Sequence, residues 1–192
     1  DTVVIGGDIS WGMRLEETVQ DFTFLESLPG KKLLLKGNHD YWWSTRSKIE
    51  AFFAAQGFCS MELVFNSAVR VGDITVCGTR GWLYNAETPE DRKIVARENG
   101  RLTLSLEAAQ KLGGTPVVFL HYPPVYDTAE CAALLDTMQR FGVTDCYYGH
   151  IHGDRAAKKA PVGEYRGIRM NLVSCDYIRF VPKLVRLHAD CK

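Results

Sequence analysis

The sequence lacks a net charge: 23 lysines and arginines balance 23 aspartates and glutamates over 192 residues. No overall field would draw such a chain onto nucleic acid or an anionic membrane, so only a local basic patch could do so. It also lacks any apolar run near the roughly 18 residues of a membrane-spanning helix, and the residues up to its first apolar run lead to the expectation of no signal peptide. Its six cysteines, Cys59, Cys77, Cys131, Cys146, Cys175 and Cys191, include no C-x-x-C pair. That spacing argues against a zinc knuckle or a disulfide framework. Several fall inside apolar runs, so the expectation is small reduced core residues in a cytoplasmic protein. Internal repeats, linkers and low-complexity segments are missing as well, which points to one domain over residues 1–192. What remains is an ordinary globular balance, 46% apolar and 24% charged, in a chain long enough to bury a core without covalent staples.

Read in order, the chain alternates strand and helix signals. Val3 to Ile5 is a β-branched run that breaks at Gly6-Gly7-Asp8. Leu15, Val19, Phe22 and Leu25 recur at helical spacing until Pro29-Gly30. Leu33 to Leu35 forms a second strand and delivers Gly37-Asn38-His39-Asp40. Ser44 or Thr45 can cap a helix that buries Ile49, Phe52 and Phe53 and closes at Gly57. Short strands are expected over 61–66, 68–71 and 74–77, with Gly72-Asp73 as a hairpin turn. Thr88-Pro89-Glu90-Asp91 starts a helix, which Gly100 should divide; beyond it Leu102, Leu106, Ala109 and Leu112 make one apolar face. Val117 to Leu120 is a buried strand ending on His121, with Pro123-Pro124 barring its extension. A helix is expected over 128–141, then a run from Asp145 to Tyr148 that leads into Gly149-His150-Ile151-His152. The last fifty or so positions read as antiparallel sheet, with Ile168, Met170 and Leu172 alternating and a final strand over 183–187.

Four of these apolar runs end on metal ligands or proton carriers: Asp8; Asn38, His39 and Asp40; His121; and His150 with His152. In layered α/β folds strand ends share one crevice, and ligands bind there. Four of the five histidines stand at these positions, and only His188 is left over, as a surface residue. On a continuing strand His150 and His152 would point to opposite faces, but after Gly149 a loop can turn both inward. Carboxylate, amide and imidazole without thiolate suit Mn²⁺, Fe or Zn²⁺. Asp8 has two oxygens and can bridge two ions. Paired metals about 3.5–4 Å apart can hold a hydroxide and neutralise both oxygens of an in-line displacement, which suits phosphate ester hydrolysis.

Together, Gly7-Asp8, Gly37-Asn38-His39-Asp40, His121 and Gly149-His150-Ile151-His152, in that order, resemble the calcineurin-like metallophosphoesterase superfamily. The resemblance implies a four-layer α/β/β/α sandwich with a binuclear metal site between the sheet ends. It further implies hydrolysis of a phosphate mono- or diester with metal-bound hydroxide as nucleophile. By the same likeness Asp8 would bridge two divalent ions, Asn38, His121 and His150 would hold one, and His152 would help hold the other. His39, oriented by Asp40, would be the general acid. Two departures stand out. The superfamily's opening Asp-x-His has no counterpart before Asp8, so the expectation is an N-terminally incomplete chain lacking its first strand, weakly active or inactive as it stands. Where relatives often carry Asp or Arg, three residues after Asp8, this chain has Trp11.

The resemblance leaves rivals open: a nuclease or cyclic nucleotide phosphodiesterase, or a non-enzymic protein-binding module on the same fold. Neutral charge counts against a long nucleic acid, and four retained histidines favour an enzyme acting on a small phosphoester. Arg80, in Gly78-Thr79-Arg80-Gly81-Trp82, could reach a substrate phosphate, although a surface turn is the stronger expectation. Tyr41, Trp42, Trp43 and Tyr122 fit either core packing or stacking on a base or aryl ester. Arg155, Lys158, Lys159, Arg166 and Arg169 read as the solvated face of a hairpin.

Overall fold

Along the second strand Leu33 and Leu35 point one way and Leu34 the other, and this period of two sets the layers of the molecule. The computed structural model describes residues 1–82 and 88–185. Its first sheet holds three parallel strands, β1 (Thr2–Ile5), β2 (Lys31–Leu34) and β3 (Met61–Leu63), in that spatial order. A 3-10 turn (Leu15–Thr18) and α1 (Val19–Ser27) join β1 to β2, and α2 (Arg46–Gln56) joins β2 to β3. Leu34 packs with Phe22, Ile49 and Phe53 from these helices. Gly57 closes α2 in the left-handed region at φ 76°, where only glycine sits without strain.

The second sheet begins with β4 (Val69–Val71) and β5 (Ile74–Thr79), joined through Gly72-Asp73 as an antiparallel hairpin. There follow α3 (Pro89–Leu112), β6 (Thr115–Leu120), a small hairpin β7 (Val125–Tyr126) and β8 (Ala129–Glu130), and α4 (Ala132–Arg140). Last come β9 (Asp145–Tyr148), α5 (Asp154–Ala157), β10 (Gly163–Tyr165) and β11 (Ile168–Leu172). The six strands lie in the order β10-β11-β9-β6-β5-β4. Val76, Val117, Phe119 and Tyr147 face Leu33 and Leu35 of the first sheet; Cys77, Val118, Cys146 and Tyr148 face Leu102, Leu106, Leu134 and Met138 of α3 and α4. The result is four layers, helix, sheet, sheet and helix. Each fully buried leucine in these interfaces adds about 1.5–3 kcal/mol.

Several expectations are corrected. Gly100 does not divide its helix: α3 runs 24 residues through it. Gly100 is exposed and costs roughly 1 kcal/mol, less than the burial of Leu102, Leu106 and Ala109 beyond it. The start of that helix is as expected, with Thr88 and Asp91 forming a capping box and Pro89 in the first turn. The helix expected from Thr128 begins only at Ala132, because Val125-Tyr126 and Ala129-Glu130 pair across an Asp127-Thr128 turn. The C-terminal sheet is mixed: β10 and β11 are antiparallel, but β11 runs parallel to β9. Residues 183–185 form no strand; the remainder of the expected final strand, with His188 and Cys191, lies outside the described residues. Cys77, Cys131 and Cys146 are buried as expected, whereas Cys59 and Cys175 are exposed. No helix among the described residues is long and apolar enough to cross a membrane.

Candidate metal centre

The loops that follow β1, β2, β6 and β9 meet at one end of the two sheets. The first of them is tightly bent, with Gly7 at φ 100° and Asp8 at φ 54°, and His150 after β9 sits at φ 68°. A left-handed non-glycine residue is uncommon and costs energy unless its surroundings enforce it. Here the enforcing group is Asp40. Its carboxylate is fully buried and accepts from the backbone N–H of Asp8 at 2.9 Å, Ile9 at 2.8 Å, Ser10 at 3.3 Å and Gly37 at 2.7 Å. Trp42 Nε1 donates a fifth bond at 3.1 Å. Asp40 thus clamps the β1 loop to the β2 loop. It makes no hydrogen bond to the His39 ring, so the expectation that it orients His39 is corrected: its oxygens are taken by four backbone N–H groups and the Trp42 indole. Gly37 completes the clamp, because a Cβ there would overlap the carboxylate and amide of Asp8.

Clamping leaves one Asp8 oxygen engaged and one available. Oδ1 accepts from His39 N–H at 2.8 Å, while Oδ2 lies 3.5 Å from His121 Nε2. His121 is 2% exposed, and its Nδ1 donates to the Gly6 carbonyl at 2.9 Å, because a carbonyl can only accept. Its Nε2 therefore presents a lone pair in the neutral ring, 2.6 Å from Asn38 Oδ1 and 3.2 Å from His150 Nδ1. Burial lowers the pKa of His121, and burial, then the neighbouring His121 ring, lowers that of His150 to about 4. A proton is thus disfavoured at neutral pH, and an amide oxygen beside an imidazole lone pair repel one another without a cation. Asp8, His121 and His150 offer ligand atoms within 4.8 Å of each other. This hard oxygen and imidazole set fits a divalent ion such as Mn²⁺, Fe²⁺ or Zn²⁺.

The structure therefore gathers Asp8, Asn38, His121 and His150 and sets His152 in a different group. His152 is exposed, and its Nδ1 lies 3.0 Å from Asp176 Oδ1. Asp176 also accepts from Gly153 N–H at 2.7 Å and Tyr177 N–H at 2.9 Å. His152, Cys175 and Asp176 form a second set of ligand atoms within 4.8 Å. Cys175 and Asp176 escaped the sequence reading, yet the run Met170 to Val173 ending on Ser174-Cys175-Asp176 carries the same strand-end signal as the others.

His39 stands over the site from the β2 loop. Its ring stacks on Trp11 at 4.4 Å between centroids with a 26° interplanar angle, and Tyr41 Oη lies 3.3 Å from Nδ1. Trp11 is 72% exposed, far more than a tryptophan placed for core packing would be. Asp8, Trp11, His39, His121, His150 and His152 all line one cleft of about 1000 Å³. Of the other aromatics, Trp42 is buried core and Tyr122 packs at 4.2 Å from the His150 ring. Three of the five basic residues singled out near the C-terminus are locally neutralised. Lys159 pairs with Asp127 at 2.6 Å, Arg166 with Glu130 and Asp136, and Arg169 with buried Asp145.

A family model for calcineurin-like phosphoesterases matches residues 1–154. A solved crystal structure is similar over 89% of this chain and 78% of its own, at 13% identity and a TM-score of 0.58, a likeness of fold. No curated protein sequence matches the chain. With most of its length inside the family match, and with the motif residues gathered at one end of the sandwich, the chain belongs to the calcineurin-like phosphoesterase family, whose members are metal-dependent phosphoester hydrolases.

Proposed function

We propose that the chain hydrolyses a small phosphate mono- or diester at a binuclear centre, with His39 as general acid. One ion would be held by Asp8, Asn38, His121 and His150, and a second by Asp8 and His152. Divalent ions there would supply positive charge to the phosphoryl oxygens and lower the pKa of a bound water. The observation that carries the reading is the 2.6 Å approach of Asn38 Oδ1 to the His121 Nε2 lone pair, an arrangement of acceptors that a cation stabilises.

The chain's own residues then divide the work. Asp40 holds the two loops in register, so Asp8 and Asn38 need not reorganise as charge develops. Trp11 and Tyr41 fix the His39 ring on one face and one edge, which positions a proton for the leaving oxygen. A small ester is favoured over a long nucleic acid because the net charge is zero and Lys159, Arg166 and Arg169 already have acidic partners. A cytoplasmic setting belongs to the same proposal, supported by the free thiols of the five described cysteines.

The test combines metal analysis with a panel of phosphate mono- and diesters, with and without Mn²⁺. His39→Ala should lower the rate by about 10²–10⁴ at unchanged metal content, and His121→Ala should lose the metal itself. Hydrolysis of every ester by His39→Ala at the parental rate would remove the general acid, and a parent that binds no divalent ion would remove the centre.

A further inference from the structure

A second polar group adjoins the candidate centre on the side of β5. Leu35 packs on Gly78, its Cδ2 within 2.9 Å of where a Cβ would stand, so the residues just beyond each strand, Lys36 and Arg80, emerge at the same end of the sandwich. Lys36 precedes Gly37-Asn38. Arg80 accepts at its carbonyl from Tyr122 N–H at 2.9 Å, next to His121. Its guanidinium lies over Trp82 at 4.8 Å; Trp82 meets Tyr122 at 5.6 Å, and Tyr122 meets the His150 ring. Arg80 is therefore no surface turn residue, as the sequence suggested, but is wedged between α3 and the loop that bears His121.

The charges there do not balance. Glu98 of α3 is fully buried, accepting from Thr79 Oγ1 at 2.5 Å, Arg101 Nη1 at 2.7 Å and Arg80 Nη2 at 3.4 Å. One carboxylate thus serves two arginines, and Lys36 is a third cation. Among the described residues the Lys36 side chain makes no ion pair or hydrogen bond, and it is half-buried. Asp40 is near, but five donors already occupy its carboxylate. Arg80 Nε is buried without any hydrogen-bond partner. A buried donor on a permanently charged group is rarely left unsatisfied in a folded protein, and clustered cations repel unless an anion joins them.

We propose that Lys36 and Arg80 form an oxyanion subsite beside the metal centre, which holds a second anionic group of the substrate, a phosphate or carboxylate beyond the reacting ester. The inference rests on the phosphoesterase reading for the nature of the ligand. The unpartnered Arg80 Nε, on a guanidinium whose Nη2 reaches Glu98 only at 3.4 Å, offers a donor that an oxyanion can accept, and Lys36 adds a point charge. Substrates with two anionic groups would be selected over simple monoesters.

Two measurements separate this subsite from the metal centre. Inorganic phosphate titrated calorimetrically into metal-free protein should bind the parent, and Arg80→Gln and Lys36→Met should each weaken that binding by about 10-fold or more, as expected for loss of a charged hydrogen bond. Arg80→Lys, which keeps the charge, should retain part of it, and circular dichroism checks that each variant is folded. With Mn²⁺ present, Arg80→Gln should raise KM for a bisphosphorylated alkanediol more than for p-nitrophenyl phosphate. Phosphate binding equal to the parent in both Arg80→Gln and Lys36→Met overturns the subsite even if the enzyme is active. Phosphate binding that depends on Arg80 upholds it even if no ester is hydrolysed, in which case the proposed activity alone falls.

Discussion

Replacing Asp40 with asparagine exchanges one oxygen for an amide nitrogen and tests what holds the site together. Asparagine keeps the shape, but one end becomes NH₂ and can no longer accept. Turned toward the Oδ1 side it would face three donors, Ile9 N–H, Ser10 N–H and Trp42 Nε1, so the cheaper orientation sacrifices the Oδ2 pair, Asp8 N–H at 2.9 Å and Gly37 N–H at 2.7 Å. Hydrogen bonds to a charged acceptor contribute about 1.5–3 kcal/mol each, so the variant should lose about 3–6 kcal/mol, a large part of the roughly 5–15 kcal/mol that keeps a domain folded. Thermal unfolding should shift down by roughly 6–24 °C for a chain of this size. The assay is urea and thermal denaturation of metal-free protein followed by far-ultraviolet circular dichroism, with His39→Ala as a control that removes no clamp. If Asp40 merely steered the His39 ring, both variants would denature with the parent. An unfolding free energy for Asp40→Asn within about 1 kcal/mol of the parent would refute the clamp.

Gly37→Ala should be worse than most surface substitutions, since its methyl group overlaps the Asp8 carboxylate and amide; the expected loss is about 1–3 kcal/mol, measured by urea denaturation, with weaker Mn²⁺ binding by calorimetry. Asp176→Asn should weaken Mn²⁺ retention at His152 by about 10–100-fold, because Asp176 accepts from His152 Nδ1 and leaves Nε2 as the free ligand atom. The Gly153 N–H bond lowers the Asp176 pKa below its ordinary 3.8, so the carboxylate is ionised and accepting at neutral pH; calorimetric titration at pH 7, with the variant equal to the parent, would count against it.

Much of the fold was legible because burial writes a local pattern. Leu33, Leu34 and Leu35 announce a buried strand, and two cores lie on its two faces, whereas the four-layer sandwich was legible only through the family resemblance. The grouping of Asp8, Asn38, His121 and His150 at one end of the sandwich was legible for the same reason, as polar residues placed where an apolar run stops. The misses share a cause of the opposite kind. Gly100 looked like a stop because glycine is a poor helix former, yet Leu102 and Leu106 bury against the second sheet and outweigh it. Thr128 looked like a cap until Val125-Tyr126 met Ala129-Glu130. Asp176 reaches His152 from 24 residues away, and no local spacing reports such a pairing.

The motif Gly37-Asn38-His39-Asp40 shows where the division falls. Its two middle members face outward, toward ligand and proton chemistry, and residue type alone reveals what they can do. Its two outer members face inward. Gly37 is there for the room that Asp8 requires, and Asp40 for five donors, three of which lie about thirty residues earlier in the chain. A carboxylate next to a histidine suggests a partner for that histidine, and here adjacency in sequence misled, because the backbone turn directs the two side chains to different tasks. The arrangement also has a physical logic. A site that must hold mutually repelling acceptors at 2.6 Å cannot rely on those acceptors for its own cohesion, so the restoring force has to come from a group that takes no part in the chemistry. Asp40 is that group, which is why its loss should appear first in stability and only then in rate.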